Sequence, residues 1–192
     1  MADPYLLPSG DVLRNRCGIA DQVALADFEL KASLARVAEL TRCPAEGSFD
    51  LRHLCAIHRH IFQDVYDWAG KVRTVDIAKG MWYCRVDAIE SESRRIFRAI
   101  ADDDYLVGRS REQFVVRLAE HWGEVNALHP FREGNTRAQR VFFEQLSQVA
   151  GWPIDWAKLD YRAFIEARYE NLRTARTDRF AEVLDAAVCK LP

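Results

Sequence analysis

The chain has 192 residues, 49% of them hydrophobic, and a formal net charge of −2. That length suffices for one buried core, the charge gives no support to a nucleic-acid coat or a membrane-surface protein, and no apolar run approaches the roughly 20 residues that cross a bilayer. Five cysteines, Cys17, Cys43, Cys55, Cys84 and Cys189, lack any C-x-x-C spacing. Neither a zinc ribbon nor a disulfide framework is expected, only buried or half-buried thiols in a reducing cytosol. Met1-Ala2-Asp3-Pro4 carries no basic stretch followed by an apolar one, so the expected location is cytoplasmic, with secretion into a host cell by another signal as the alternative.

In chain order, residues 1–20 read as irregular, with Pro4, Pro8 and Gly10 close together. From Asp21 the pattern turns helical: Leu30, Leu34, Val37, Ala38 and Leu40 fall at helical spacing, and Pro44 with Gly47 ends the run. Asp50 is placed to cap a second helix through Leu54, Ile57, His58, Ile61 and Phe62. Between Trp68 and Arg85 the composition shifts toward strand, with Val72, Thr74, Val75 and Ile77 on one side of Lys79-Gly80 and Trp82 and Tyr83 on the other. This predicts a short β-hairpin over 72–85. Asp87 opens a helix to about Ala101, on which Arg94, Arg95 and Arg98 read as a solvated face. Ser110 with Gln113 forms a capping box for a helix carrying Phe114, Leu118, Trp122 and Val125. A further helix is expected from Thr136 to Ala150, stopped by Gly151 and Pro153, then two more near Tyr161–Thr174 and Arg179–Cys189. The predicted fold class is all-α with one hairpin, in a single domain spanning 1–192.

The segment from His129 to Arg140, HPFREGNTRAQR, concentrates the chemistry. Backbone N–H groups at a helix start attract anions, and arginines on the first turns can grip phosphates. Arg137 and Arg140 are three residues apart and share a face. Glu133 beside a polyphosphate points to Mg²⁺, against the plainer reading of a first-turn carboxylate facing the helix dipole. Gly134 lets the backbone approach a phosphate closely. Asn135 is read as a helix cap whose amide can also donate to an α-phosphate. His129, with an ordinary imidazole pKa, suits proton abstraction from an attacking hydroxyl. Phe131 is read as an apolar anchor for the loop. His53, His58, His60 and His121 are read as structural or surface histidines, since His58 and His60 would point to different faces of a helix. No G-x-x-x-x-G-K-S/T phosphate loop occurs.

This segment resembles the signature of the Fic (filamentation induced by cAMP) family, H-x-F-x-D/E-G-N-G-R-x-x-R, at every fixed position except Thr136, where the usual residue is glycine. Leu13-Arg14-Asn15, Phe49-Asp50-Leu51, His58 to Phe62, Asp64 to Gly70 and Asp76 to Gly80 also resemble stretches of bacterial Fic proteins. The resemblance implies a helical fold with a hairpin flap beside the active site. It also implies protein adenylyltransferase activity, in which His129 deprotonates a target hydroxyl, ATP is the co-substrate, and Arg137 and Arg140 hold the β- and γ-phosphates. The flap, with Ile77, Ala78, Lys79, Gly80 and Met81, is then expected to align the target peptide by main-chain pairing. The alternatives are transfer of another phosphate-containing group, or a non-catalytic peptide-binding module. Thr136 keeps its N–H but its β-branched side chain narrows the loop. Family members are often restrained by a helix carrying S/T-x-x-x-E-G/N. Here glutamate precedes Gly or Asn only at Glu46, Glu133 and Glu170, and four residues earlier stand Arg42, His129 and Glu166. Two readings remain, a constitutively active enzyme or, as the resemblance favours, the toxin of a toxin–antitoxin pair, with a small partner supplying the glutamate near Arg140. The target implied is a type II topoisomerase subunit or a small GTPase.

Overall fold

A computed structural model describes residues 3–8 and 10–190. Among these residues seven α-helices follow in order: α1 (Gln22–Arg42), α2 (Leu51–Phe62), α3 (Ile89–Asp102), α4 (Arg111–Leu128), α5 (Asn135–Val149), α6 (Tyr161–Thr174) and α7 (Asp178–Asp185). The caps are those the sequence offers. Asp21 accepts from the Ala24 N–H and Asp50 from the His53 N–H, and Ser110 with Gln113 closes a capping box. The expected last helix is shorter than the sequence suggested. It stops at Asp185, because the Val188 and Cys189 backbone is drawn to the strand-like segment at Pro153-Ile154 instead.

α4 and α5 form the centre. α2 packs on α5 and α1 on α2, while α3, α6 and α7 pack on α4. Phe114, Leu118, Trp122 and Val125 on α4 meet Phe142, Phe143 and Leu146 on α5, all fully buried. The Trp122 and Phe143 rings stack at 4.6 Å. Gly123 lets α6 come close, since a Cβ there would lie 2.5 Å from Asn171 Oδ1. On α1 the expected apolar face divides. Leu40 and Leu25 are buried, but Leu30 and Leu34 are 52% and 56% exposed.

The predicted hairpin over 72–85 is not formed as paired strands. Among the described residues the segment holds one antiparallel bridge, Ala78 with Trp82. The reason is where its polar groups go. Arg73, fully buried, donates to the carbonyls of Val75 and Cys84 and to that of His129 at 2.9 Å. The Arg73 N–H donates to Pro130 O and the Cys84 N–H to Ala127 O. Groups that would build a ladder instead tie both arms of the turn to the α4–α5 corner. Of the cysteines, Cys17 and Cys43 are exposed rather than buried, and Cys55, Cys84 and Cys189 are half-buried thiols.

Candidate active site

The corner between α4 and α5 is fixed by its own backbone and by two aromatic contacts. His129 ends α4 in the left-handed region at φ 44°, which turns its ring off the helix axis. The ring is 6% exposed and stacks on Tyr83 at 3.7 Å. His129 Nδ1 lies 3.3 Å from Asn126 O. A carbonyl only accepts, so Nδ1 carries the proton and Nε2 keeps its lone pair. Burial, with Arg168 and Lys79 nearby, holds the imidazole well below its ordinary pKa. At neutral pH it is an uncharged base.

Phe131 is fully buried and stacks on His58 at 3.9 Å. His58 Nδ1 accepts from the Gly70 N–H, so Nε2 is the protonated nitrogen and donates to Glu133 O at 2.9 Å. Burial pushes His58 down to about 4 and keeps it neutral. Asn135 does not cap α5: Gly134 is the cap residue, and Asn135 is the first residue of the helix. Its amide closes the loop, with Oδ1 accepting from the Phe131 N–H and Nδ2 donating to Phe131 O at 2.8 Å. Gly134 is required twice. Its φ is +80°, and a Cβ would sit 2.3 Å from the Phe62 ring.

The loop borders a cavity of about 700 Å³. His129, Glu133, Gly134, Asn135, Thr136, Arg137 and Arg140 all line it, so every signature residue named from the sequence except Phe131 reaches one space. Burial favours the neutral form of Glu133, but Lys79, the Gly134 N–H and Arg137 outweigh it and hold the carboxyl below its usual range. Lys79 Nζ, on the turn, lies 3.4 Å from Glu133 Oε2. Of the other expected docking residues, Met81 and the neighbouring Trp82 are exposed, and Ile77 O accepts from the Tyr83 N–H.

The two arginines are held differently. Arg137 pairs with Glu29 and donates to Ser33 Oγ at 2.8 Å, both on α1, with its guanidinium 4.7 Å above Phe62. Arg140 lies 4.2 Å over the Trp156 ring, and its buried Nε has no hydrogen-bond partner among the described residues. Glu29, Ser33, Tyr83 and Arg168 all belong to the site and were not singled out from the sequence. They come from distant helices and turns, and no local spacing marks them. The four histidines outside the signature are structural, as expected: His53, His58 and His121 are buried, and His60 pairs with Glu39.

The sequence profile of the Fic/DOC family matches residues 48–147, which include α2, the turn, α4 and the whole signature corner. The chain belongs to the Fic/DOC family. Among similar Fic proteins, the Probable protein adenylyltransferase Fic of Salmonella typhimurium is 46% identical over 157 residues, covering 80% of this chain and 76% of that protein. The Protein adenylyltransferase VbhT of Bartonella schoenbuchensis is 42% identical over 174 residues, covering 88% of this chain but 36% of VbhT. In fold, the BepC protein of Bartonella tribocorum, a VirB-translocated effector solved with bound AMPPNP, superposes with a TM-score of 0.91 at 22% identity, covering 98% of this chain and 97% of that one. The whole described Fic fold is thus shared, including α6 and α7, which lie outside the profile match.

Proposed function

We propose that this Fic protein transfers AMP from ATP to a hydroxyl side chain of a target protein. The observation that carries the reading is His129, held neutral with its free nitrogen at a cavity that also receives a helix start and two arginines. In the reaction the target oxygen attacks the α-phosphorus while His129 Nε2 takes the hydroxyl proton. The bond from the α-phosphorus to the bridging oxygen breaks, and pyrophosphate leaves. The N–H groups at the start of α5 face the developing charge. Arg137 and Arg140 hold the outer phosphates, and the turn with Ile77, Ala78, Lys79, Gly80 and Met81 receives the target as a flap. The ionised Glu133 fits one carboxylate ligand of Mg²⁺, phosphate oxygens supplying others; when bound, the ion neutralises charge on the phosphates. Lys79 occupies the same carboxylate before that.

The deciding experiment incubates the chain with tagged ATP and a lysate, then weighs the labelled band. An adenylyl mass gain that vanishes in His129→Ala supports the reading. A phosphoryl or phosphocholine gain, or no label, overturns it.

A regulated form of the same function is favoured by α1 and α6. Leu30, Leu34, Tyr161 and Tyr169 are exposed and line the same cavity as Arg140, whose Nε has no partner among the described residues. Such a patch suits an apolar helix, and a glutamate on it would pair with Arg140. This is the surface expected of a toxin restrained by a small antitoxin. Expression of the chain alone should arrest growth in a His129-dependent way, and harmless expression of soluble wild-type chain counts against it.

A further inference from the structure

Thr136 stands where the Fic signature has glycine, and the structure gives it a partner that the sequence did not reveal. Arg168, on α6, is 5% exposed and lines the same cavity. Its Nη1 donates to Thr136 Oγ1 at 3.0 Å, and its Nη2 donates to Asn126 Oδ1 and Gln139 Oε1 at 2.6 and 2.7 Å. All three acceptors are neutral oxygens. Burial lowers the guanidinium to about 10, so it remains charged at neutral pH. Among the described residues its buried Nε has no hydrogen-bond partner, nor has that of Arg140 on the same cavity. A buried cation surrounded by neutral acceptors lacks its counter-charge. Arg168 therefore calls for an anion in the cavity, and Arg140 adds positive charge to the same space.

The threonine matters because of which end of its hydroxyl is used. Arg168 has no acceptor capacity, so it occupies an Oγ1 lone pair and leaves the hydrogen. A helical threonine normally gives that hydrogen to the carbonyl three or four residues back. Thr136 is the second residue of α5, so those carbonyls belong to the loop residues Glu133 and Arg132, and no such bond forms. The O–H is polarised by the guanidinium at one of the first N–H groups of the helix.

We propose that Thr136, oriented by Arg168, is an added hydroxyl donor to a phosphate oxygen of the bound nucleotide. Thr136 touches the ligand; Arg168 is a positioning residue that also supplies charge. The substitution away from glycine is then a gained contact rather than a tolerated obstruction. The proposal rests on the nucleotide reading above and names the group that deepens it.

The test is calorimetric titration of the full chain with a non-hydrolysable ATP analogue and Mg²⁺, with thermal denaturation of each variant to confirm folding. Thr136→Val, which keeps the shape and loses the hydroxyl, should weaken binding about ten-fold, the loss of one hydrogen bond to a charged group. Thr136→Gly should weaken it similarly, and Thr136→Ser should restore it to within about two-fold. In an Arg168→Met background the further loss from Thr136→Val should shrink to about two-fold, because the hydroxyl is no longer oriented. Binding that tightens in Thr136→Gly would make the threonine an obstruction and overturn the proposal. Wild-type binding left unchanged by Thr136→Val overturns this proposal alone. A wild-type chain that binds no nucleotide overturns the adenylyl-transfer reading, and this proposal with it.

Discussion

Along the α4–α5 corner, polar groups hold the corner itself, whereas across the cavity α1 and α6 reach in with single charged side chains, Glu29 pairing with Arg137 and Arg168 donating to Thr136, and leave apolar and aromatic side chains exposed. The corner has the Asn135 clamp on Phe131, the His58 bond to Glu133 O, Arg73 on His129 O and a glycine wedged against Phe62. The facing wall has exposed Leu30, Leu34, Tyr161 and Tyr169 around Glu29 and Arg168. Reacting groups must be held to within fractions of an ångström, and short-range contacts supply that. Access and restraint depend on surfaces that another molecule can cover. The first wall holds the signature residues in place, and the second combines Glu29 and Arg168 with exposed apolar and aromatic side chains.

The largest expected effect lies in the corner. His129→Ala should lower transfer by roughly two to four orders of magnitude while nucleotide affinity holds, because proton removal is lost and binding is not. Parallel rate and affinity measurements check this; near wild-type transfer would move the base elsewhere. Glu133→Ala should next cut transfer and raise the Mg²⁺ concentration needed for half-maximal rate. A metal titration with an unchanged midpoint would make Glu133 a dipole partner only.

Acid should open the corner before it opens the far wall. His58 titrates at about 4 when folded, below the ordinary 6.5. The unfolded chain therefore binds the extra proton first as pH falls. The His58 contribution to stability is fully present above about pH 6.5 and is lost between there and pH 4, amounting to about 3 kcal/mol. Denaturation midpoints across that window should fall, and less steeply in His58→Gln. Equal slopes would show that His58 is not the coupled group. His129 shifts in the same direction, so the acid limb of kcat/KM should lie below pH 6.5.

The smallest effect on the chain alone is expected on the facing wall. Leu30→Ser with Leu34→Ser should change stability by under about 1 kcal/mol, as exposed positions do, and leave transfer within about two-fold. The same pair should abolish binding of a restraining partner. Retained restraint would place the partner elsewhere.

What the sequence by itself determined is what depends on neighbours along the chain. The caps at Asp21, Asp50 and Ser110, the helices they begin, and the convergence of His129, Glu133, Gly134, Arg137 and Arg140 follow from spacing within a turn or two. Tertiary structure decided the rest, since those outcomes depend on what a group meets from far along the chain. Val72, Val75 and Tyr83 have strand propensity, but Arg73 takes the carbonyls a ladder would use. Leu30 and Leu34 keep helical spacing, yet no element among the described residues covers them. Asn135 looked like a cap until its amide was claimed by Phe131. Glu29 and Arg168 carry no local pattern, and only the packing of α1 and α6 against α5 makes them part of the site.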